Sequence, residues 1–242
     1  LLFQSNFQKN IYAYLFYLSL GLGFMVKGPP AILIPGLTAL GFLIATTRKS
    51  WFSGLRVGPG LIILLVIIIP WFAAMLGMHG EEFENHIVGN EIKNRLVHDT
   101  PFSFYYVGVL FRYQLPWSFF FIFAALKQFG LLGFSNEKGI KFRGRLGKWR
   151  ENVSRHIKLL FKEENESVAF CYIWILVCLI LFTLLRVEHS RYMLPSCAAV
   201  AILTARLFAG IEKSPEESGE FGFKFSTVIT FLILLISSLL TG

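Results

Sequence analysis

Apolar runs separated by basic, acidic or Gly-Pro segments organise this chain. Seven runs, at about 10–26, 31–46, 59–76, 102–126, 168–186, 194–210 and 225–241, come close to or reach membrane-spanning length. A helix rises about 1.5 Å per residue, so a hydrocarbon core of about 30 Å takes about 20 residues. The runs 31–46 and 194–210 are short and fit a tilted or partly re-entrant helix. The pattern predicts an all-α integral membrane protein, a multi-span helical bundle forming one transmembrane domain over 1–242.

The segments between the runs differ in character. In 77–101, Phe83, Ile87 and Glu91 fall on adjoining helical turns, and Glu91 stands four residues before Arg95. This predicts an amphipathic helix lying on the membrane surface in an outer loop. The segment 127–167 is long and basic, and 211–224 reads as a polar linker.

Composition agrees with the pattern. Of the 242 residues, 55% are hydrophobic and 16% charged, against about 25% charged in ordinary soluble domains. The net charge of +8 would suggest nucleic acid in a soluble protein. Here it follows the rule that Lys and Arg collect on the cytoplasmic side of a membrane, and no nucleic-acid partner is expected. Loop 47–58 carries Arg48, Lys49 and Arg56, and 127–167 carries ten Lys/Arg against five Glu. Alternating spans put both on one side, the cytoplasmic one. The opposite side receives Lys27-Gly28-Pro29-Pro30, the net acidic 77–101 and the short turn 187–193. The basic stretch either touches anionic lipid headgroups or is a solvated linker that obeys the charge bias. Cys171, Cys178 and Cys197 all lie in apolar runs and read as packing residues. The chain begins Leu1-Leu2-Phe3 and ends inside an apolar run, so further sequence is expected beyond both ends.

Polar groups at span ends cost free energy near hydrocarbon and therefore mark candidate chemistry. Four clusters fall on the non-cytoplasmic side. The first, 21–30, ends a span with Lys27 at a Gly-Pro-Pro break. Amides released there, beside an ammonium, would suit an anion, while a lysine merely reaching for the interface is the simpler alternative. The second is Pro70-Trp71-Phe72 followed by 83–96, where His86 and Glu91 are the candidate metal or acid/base groups. The third is 98–106, with His98, Tyr105 and Tyr106, followed by Arg112 and Leu115-Pro116-Trp117. The fourth is 186–195, with His189, Arg191 and Tyr192 in a short turn, where guanidinium groups suit a phosphate. No P-loop, HExxH, nucleophile elbow or dinucleotide fingerprint is present.

In this order, the segments GLGFMVKGPP, PWF, FENHIVGNEIKNRL, HDTPFSFYY, LPW and HSRYMLP resemble the membrane-embedded glycosyltransferases of the GT-C class. The resemblance is to the bacterial aminoarabinose-transferase and protein-mannosyltransferase-like group, and it covers roughly 21–200. It implies transfer of a sugar from a polyprenyl-phosphate donor to a lipid, glycan or protein acceptor. It further implies a multi-pass protein of the plasma (inner) membrane with its active site facing the periplasm or outside. Lys27 would match the family's phosphate-side lysine. Glu91 and Arg95 would match its E-x-x-x-R element, His98 and Tyr105 its H-x-x-P-x-x-x-Y element, and Arg191 and Tyr192 its R-Y-x-x-P element. The family's acidic base would lie upstream of these residues. In the aminoarabinose branch a metal-linked histidine follows the acid of the juxtamembrane helix. Here that position is Ile92, and His86 lies more than a turn away, so use of a divalent metal stays open.

Two other classes compete with the enzyme. A secondary transporter would show inverted repeats and polar residues near mid-membrane. No repeat is visible here, and the polar groups gather at one face. A non-catalytic assembly subunit would lack an acidic residue in the first outer loop upstream.

Overall fold

The computed structural model describes residues 10–46, 53–84, 104–129, 131, 142–162, 165–185, 189–213 and 221–241. The described residues are helical, without strands: α1 Asn10–Lys27, α2 Pro30–Thr46, α3 Val57–Glu84, α4 Tyr105–Tyr113, α5 Ser118–Gln128, α6 Phe142–Leu160, α7 Glu166–Leu185, a 3-10 helix Ser190–Met193, α8 Ser196–Lys213 and α9 Phe221–Thr241. They gather into two compact units. One comprises Leu1–Ser103 and Leu176–Glu188, the other Phe104–Ile175 and His189–Gly242.

In the first unit α1 packs on α2 and α3. Tyr17, Leu20 and Leu64 form its core, with Phe16, Ile32 and Ile63 against them. Lipid tails are as apolar as leucine, so close packing must supply what hydrophobic burial supplies in water. Small residues sit at the contact accordingly. Gly60 lies directly under the Tyr17 ring, leaving no room for a Cβ. A Cβ at Gly21 would come within 2.7 Å of Ile67. The Arg56 Nε–H donates to Asn10 Oδ1 at 3.1 Å and ties the ends of α1 and α3.

The outward face is equally apolar. Ile11, Leu15, Leu18 and Leu22 form an exposed stripe along α1, and Ile62 and Val66 of α3 are 62% and 66% exposed. A helix facing water would carry polar residues there; one facing lipid carries these. Val57–Gly80 and Glu166–Leu185 are each long and apolar enough to cross a membrane. The first continues past the expected boundary near 76 and kinks at Gly80, whose φ of 43° is open to glycine.

The second unit is built on α5, which packs against α8 and α9. Phe120, Phe208 and Phe223 pack in a triangle, with centroids 5.1, 5.6 and 6.1 Å apart. The run expected as one span over 102–126 is two helices, α4 and α5, bent by 113°. Pro116 explains the break: it has no N–H to give the Arg112 carbonyl, and its ring crowds that turn. The Arg112 carbonyl accepts the Leu115 N–H instead, at 3.3 Å. Two hydroxyls of α9 reach this region. Thr230 donates to the Pro116 carbonyl at 3.4 Å, and Ser226 to that of Phe119 at 3.3 Å. Neighbouring Ser and Thr side chains are the usual means of serving backbone groups at a break inside an apolar bundle.

Within the basic segment 127–167, residues 142–160 form α6. The outer amphipathic segment falls largely on 85–103, outside the described residues.

Candidate functional site

The Gly-Pro-Pro break is tighter than the sequence suggests. Gly28 has a φ of 71° and ends α1 in the left-handed conformation that favours glycine. Its N–H donates to the Phe24 carbonyl at 2.7 Å. The Ala31 N–H donates to Gly28, and those of Ile32 and Leu33 to Pro29, at 3.0–3.1 Å. Pro29 and Pro30 have no N–H to offer. The expectation that this break releases amides for an anion is therefore corrected: the turn uses them itself. What it presents is Lys27, exposed in the last turn of α1.

In the second unit the third and fourth clusters meet. α4 packs on the 3-10 helix Ser190–Met193. Its buried face carries Tyr106, Val109 and Leu110, and the exposed Tyr113 stands two turns on from Tyr106. The His189 backbone N–H donates to the Tyr106 hydroxyl at 3.3 Å, and the Tyr113 hydroxyl donates to Ser190 Oγ at 2.9 Å. Tyr106 is 2% exposed, so the turn is fixed to a buried side chain.

The turn is anchored on its other side by Met193 and Ser196, both fully buried, with the Ser196 hydroxyl donating to the Met193 carbonyl at 2.6 Å. The Tyr192 N–H donates to the His189 carbonyl at 3.0 Å and closes the turn. The His189 and Tyr192 rings lie 5.8 Å apart. Arg191 and His189 are left exposed, Tyr192 half-buried. The result is a rigid base with a guanidinium and an imidazole on its outer surface. Arg112 is exposed in the last turn of α4, since the bend ends that helix there.

Of the residues singled out from sequence, Tyr105, His189, Arg191 and Tyr192 belong to this one platform. Tyr105 is half-buried, its ring edge-on to Tyr106 at 5.2 Å. Lys27 belongs to the first unit. Glu91, Arg95, His98 and His86 lie outside the described residues. Tyr113 is the contact residue that the motifs do not include, while Tyr106 and Ser190 fall inside them. The spacing Tyr106, Val109, Leu110, Tyr113 on one helical face was the available signal. Among the described residues, no three or more His, Cys, Asp or Glu side chains group as metal ligands.

The chain is similar to glycosyltransferases whose donor is a polyprenyl-phosphate-linked sugar. The relatives include proteins named undecaprenyl phosphate-alpha-4-amino-4-deoxy-L-arabinose arabinosyl transferase. That of Serratia proteamaculans is 29% identical over 194 residues, 78% of this chain and 29% of the relative. That of Sodalis glossinidius is 30% identical over 195 residues, 78% of this chain and 29% of the relative. That of Enterobacter sp. is 27% identical over 228 residues, 90% of this chain and 35% of the relative. The chain thus spans about a third of the length of the curated relatives it matches. No family model matches the chain, and no solved structure matches it.

Proposed function

We propose that this chain is the part of a membrane glycosyltransferase that holds the phosphate of a polyprenyl-phosphate sugar donor. The observation that carries the reading is the similarity to arabinosyl transferases over 78–90% of the chain. The α4 platform supports it, because it fixes Arg191 of the R-Y-x-x-P element on a buried base while leaving its guanidinium exposed. When the sugar is transferred, its C1–O bond to the donor phosphate breaks and the polyprenyl phosphate leaves with added negative charge. A guanidinium held in place before the reaction stabilises that charge without reorganising. By its place in the Lys-Gly-Pro turn, Lys27 is assigned to donor binding, with the prenyl tail against the apolar outer faces of the helices.

The acceptor is a lipid, glycan or protein on the non-cytoplasmic side of the plasma (inner) membrane, and the catalytic base is supplied by a residue upstream of Lys27. By their motifs, Glu91, Arg95, His98, Tyr105, His189 and Tyr192 are assigned to substrate binding. The test is transfer from labelled polyprenyl-phosphate sugars by full-length protein bearing Lys27→Ala or Arg191→Ala. Loss of transfer with normal expression is expected in both; unchanged turnover in both would refute the assignment.

A further inference from the structure

A second basic site lies elsewhere in the same unit. A cavity of about 290 Å³ opens between α5, α6, α7 and α8. Lys127 and Gln128 line it from the last turn of α5, His156 from α6, Tyr172 from α7 and Arg206 from α8. None of its described lining residues is an Asp or Glu. Arg206 lies ten residues along α8 from Ser196, roughly 15 Å at the helical rise, so the cavity is separate from the 3-10 platform.

Its polar groups are held in place. One Arg206 Nη–H donates to Asn165 Oδ1 at 2.9 Å, and the Asn165 amide in turn donates to the Leu159 carbonyl at 3.1 Å. This strut ties α8 to the end of α6 and leaves most of the five guanidinium donors for other partners. His156 Nδ1 donates to the Asn152 carbonyl at 2.9 Å, so Nε2 is the ring nitrogen left to a ligand. The Tyr172 ring is packed against Phe129, with centroids 5.3 Å apart. Counting the buried Glu166 beside Asn165 as −1, Lys127 and Arg206 keep the fixed charge at +1. The volume, at the lower end of ligand sites, suits a compact headgroup.

We propose that this cavity binds a phosphate group, gripped by Arg206, His156 and Lys127. Anionic phospholipid and soluble phosphate carry the same chemistry, and the test separates them. It reads binding rather than sugar transfer, so its failure and that of the proposed function are distinguishable.

The full chain, delipidated in detergent, is titrated in native mass spectrometry with phosphatidylglycerol, phosphatidylcholine or inorganic phosphate. Phosphatidylglycerol adducts, with phosphatidylcholine excluded, assign the site to anionic lipid. Inorganic phosphate binding that competes with the lipid assigns it to the phosphate group alone. In either case Arg206→Gln and His156→Gln each weaken binding about tenfold or more. Arg150→Gln, exposed on α6 and outside the cavity, does not. Should Arg206→Gln fail to fold, His156→Gln carries the test. Binding undiminished in these variants, equal loss in Arg150→Gln, or no binding of either anion overturns the proposal.

Discussion

At the scale of single residues, the R-Y-x-x-P turn shows how one side chain can be given a task. Arg191 is exposed because Met193 and Ser196 are not: the turn is pinned on one side and its tip is left outside. Arg191→Lys keeps the charge but loses the planar fork. Transfer is expected to fall about 10- to 100-fold, with expression unchanged, in an assay with labelled donor. Tyr106→Phe removes the hydroxyl that accepts the His189 N–H at 3.3 Å. The expected cost is about 0.5–1.5 kcal/mol, read from denaturation in detergent, with lowered kcat/KM. An unshifted unfolding midpoint would remove Tyr106 from the account of the platform. Arg191 was legible in sequence because a guanidinium in a short interfacial turn is unusual. Tyr106 stands in the third cluster, but its role was not legible, since it depends on which face of α4 the turn returns to.

At the scale of elements, contacts between helices are decided by shape. Gly60→Ala places a methyl inside the Tyr17 ring and should cost about 1–3 kcal/mol. Thermal unfolding in detergent checks this, and adding Tyr17→Val should recover part of the loss. Full stability in Gly60→Ala alone would show that α1 and α3 separate easily. Around the α4–α5 bend, Thr230→Val removes the hydroxyl donated to the Pro116 carbonyl. Hydrogen bonds between membrane helices average about 0.6 kcal/mol, so a small shift is expected. The apolar runs indicated where helices form, but hydropathy does not register a bend. The 102–126 run reads as continuous because Leu115 and Trp117 are as apolar as their neighbours. Pro116 breaks it, through its missing N–H and its ring. In the same way, hydropathy does not register α6, whose residues 142–160 are charge-rich.

At the scale of the whole molecule, the distribution of Lys and Arg gives an orientation that can be measured. With Cys171, Cys178 and Cys197 replaced by Ala, single cysteines are introduced at Lys49, Arg150, Gly28 or Ser190. An impermeant maleimide added to intact cells is expected to label the last two positions, and the first two only after permeabilisation. Labelling of Arg150→Cys in intact cells would overturn the assigned orientation.

Sequence by itself determined the helical, lipid-facing character of the protein and the residues that resemble a donor-phosphate site. Both are properties of local composition: apolar length sets the first, and short polar motifs at span ends carry the second. Tertiary structure decided that the Tyr-rich α4 and the Arg191 turn share one platform, and that the Gly-Pro-Pro break consumes its own amides. It also drew His156 and Arg206 to one cavity from positions fifty residues apart. Such meetings depend on the angle at which a helix bends and on which face it returns to a neighbour. Those angles are set by packing between distant segments, which no local pattern of residues encodes.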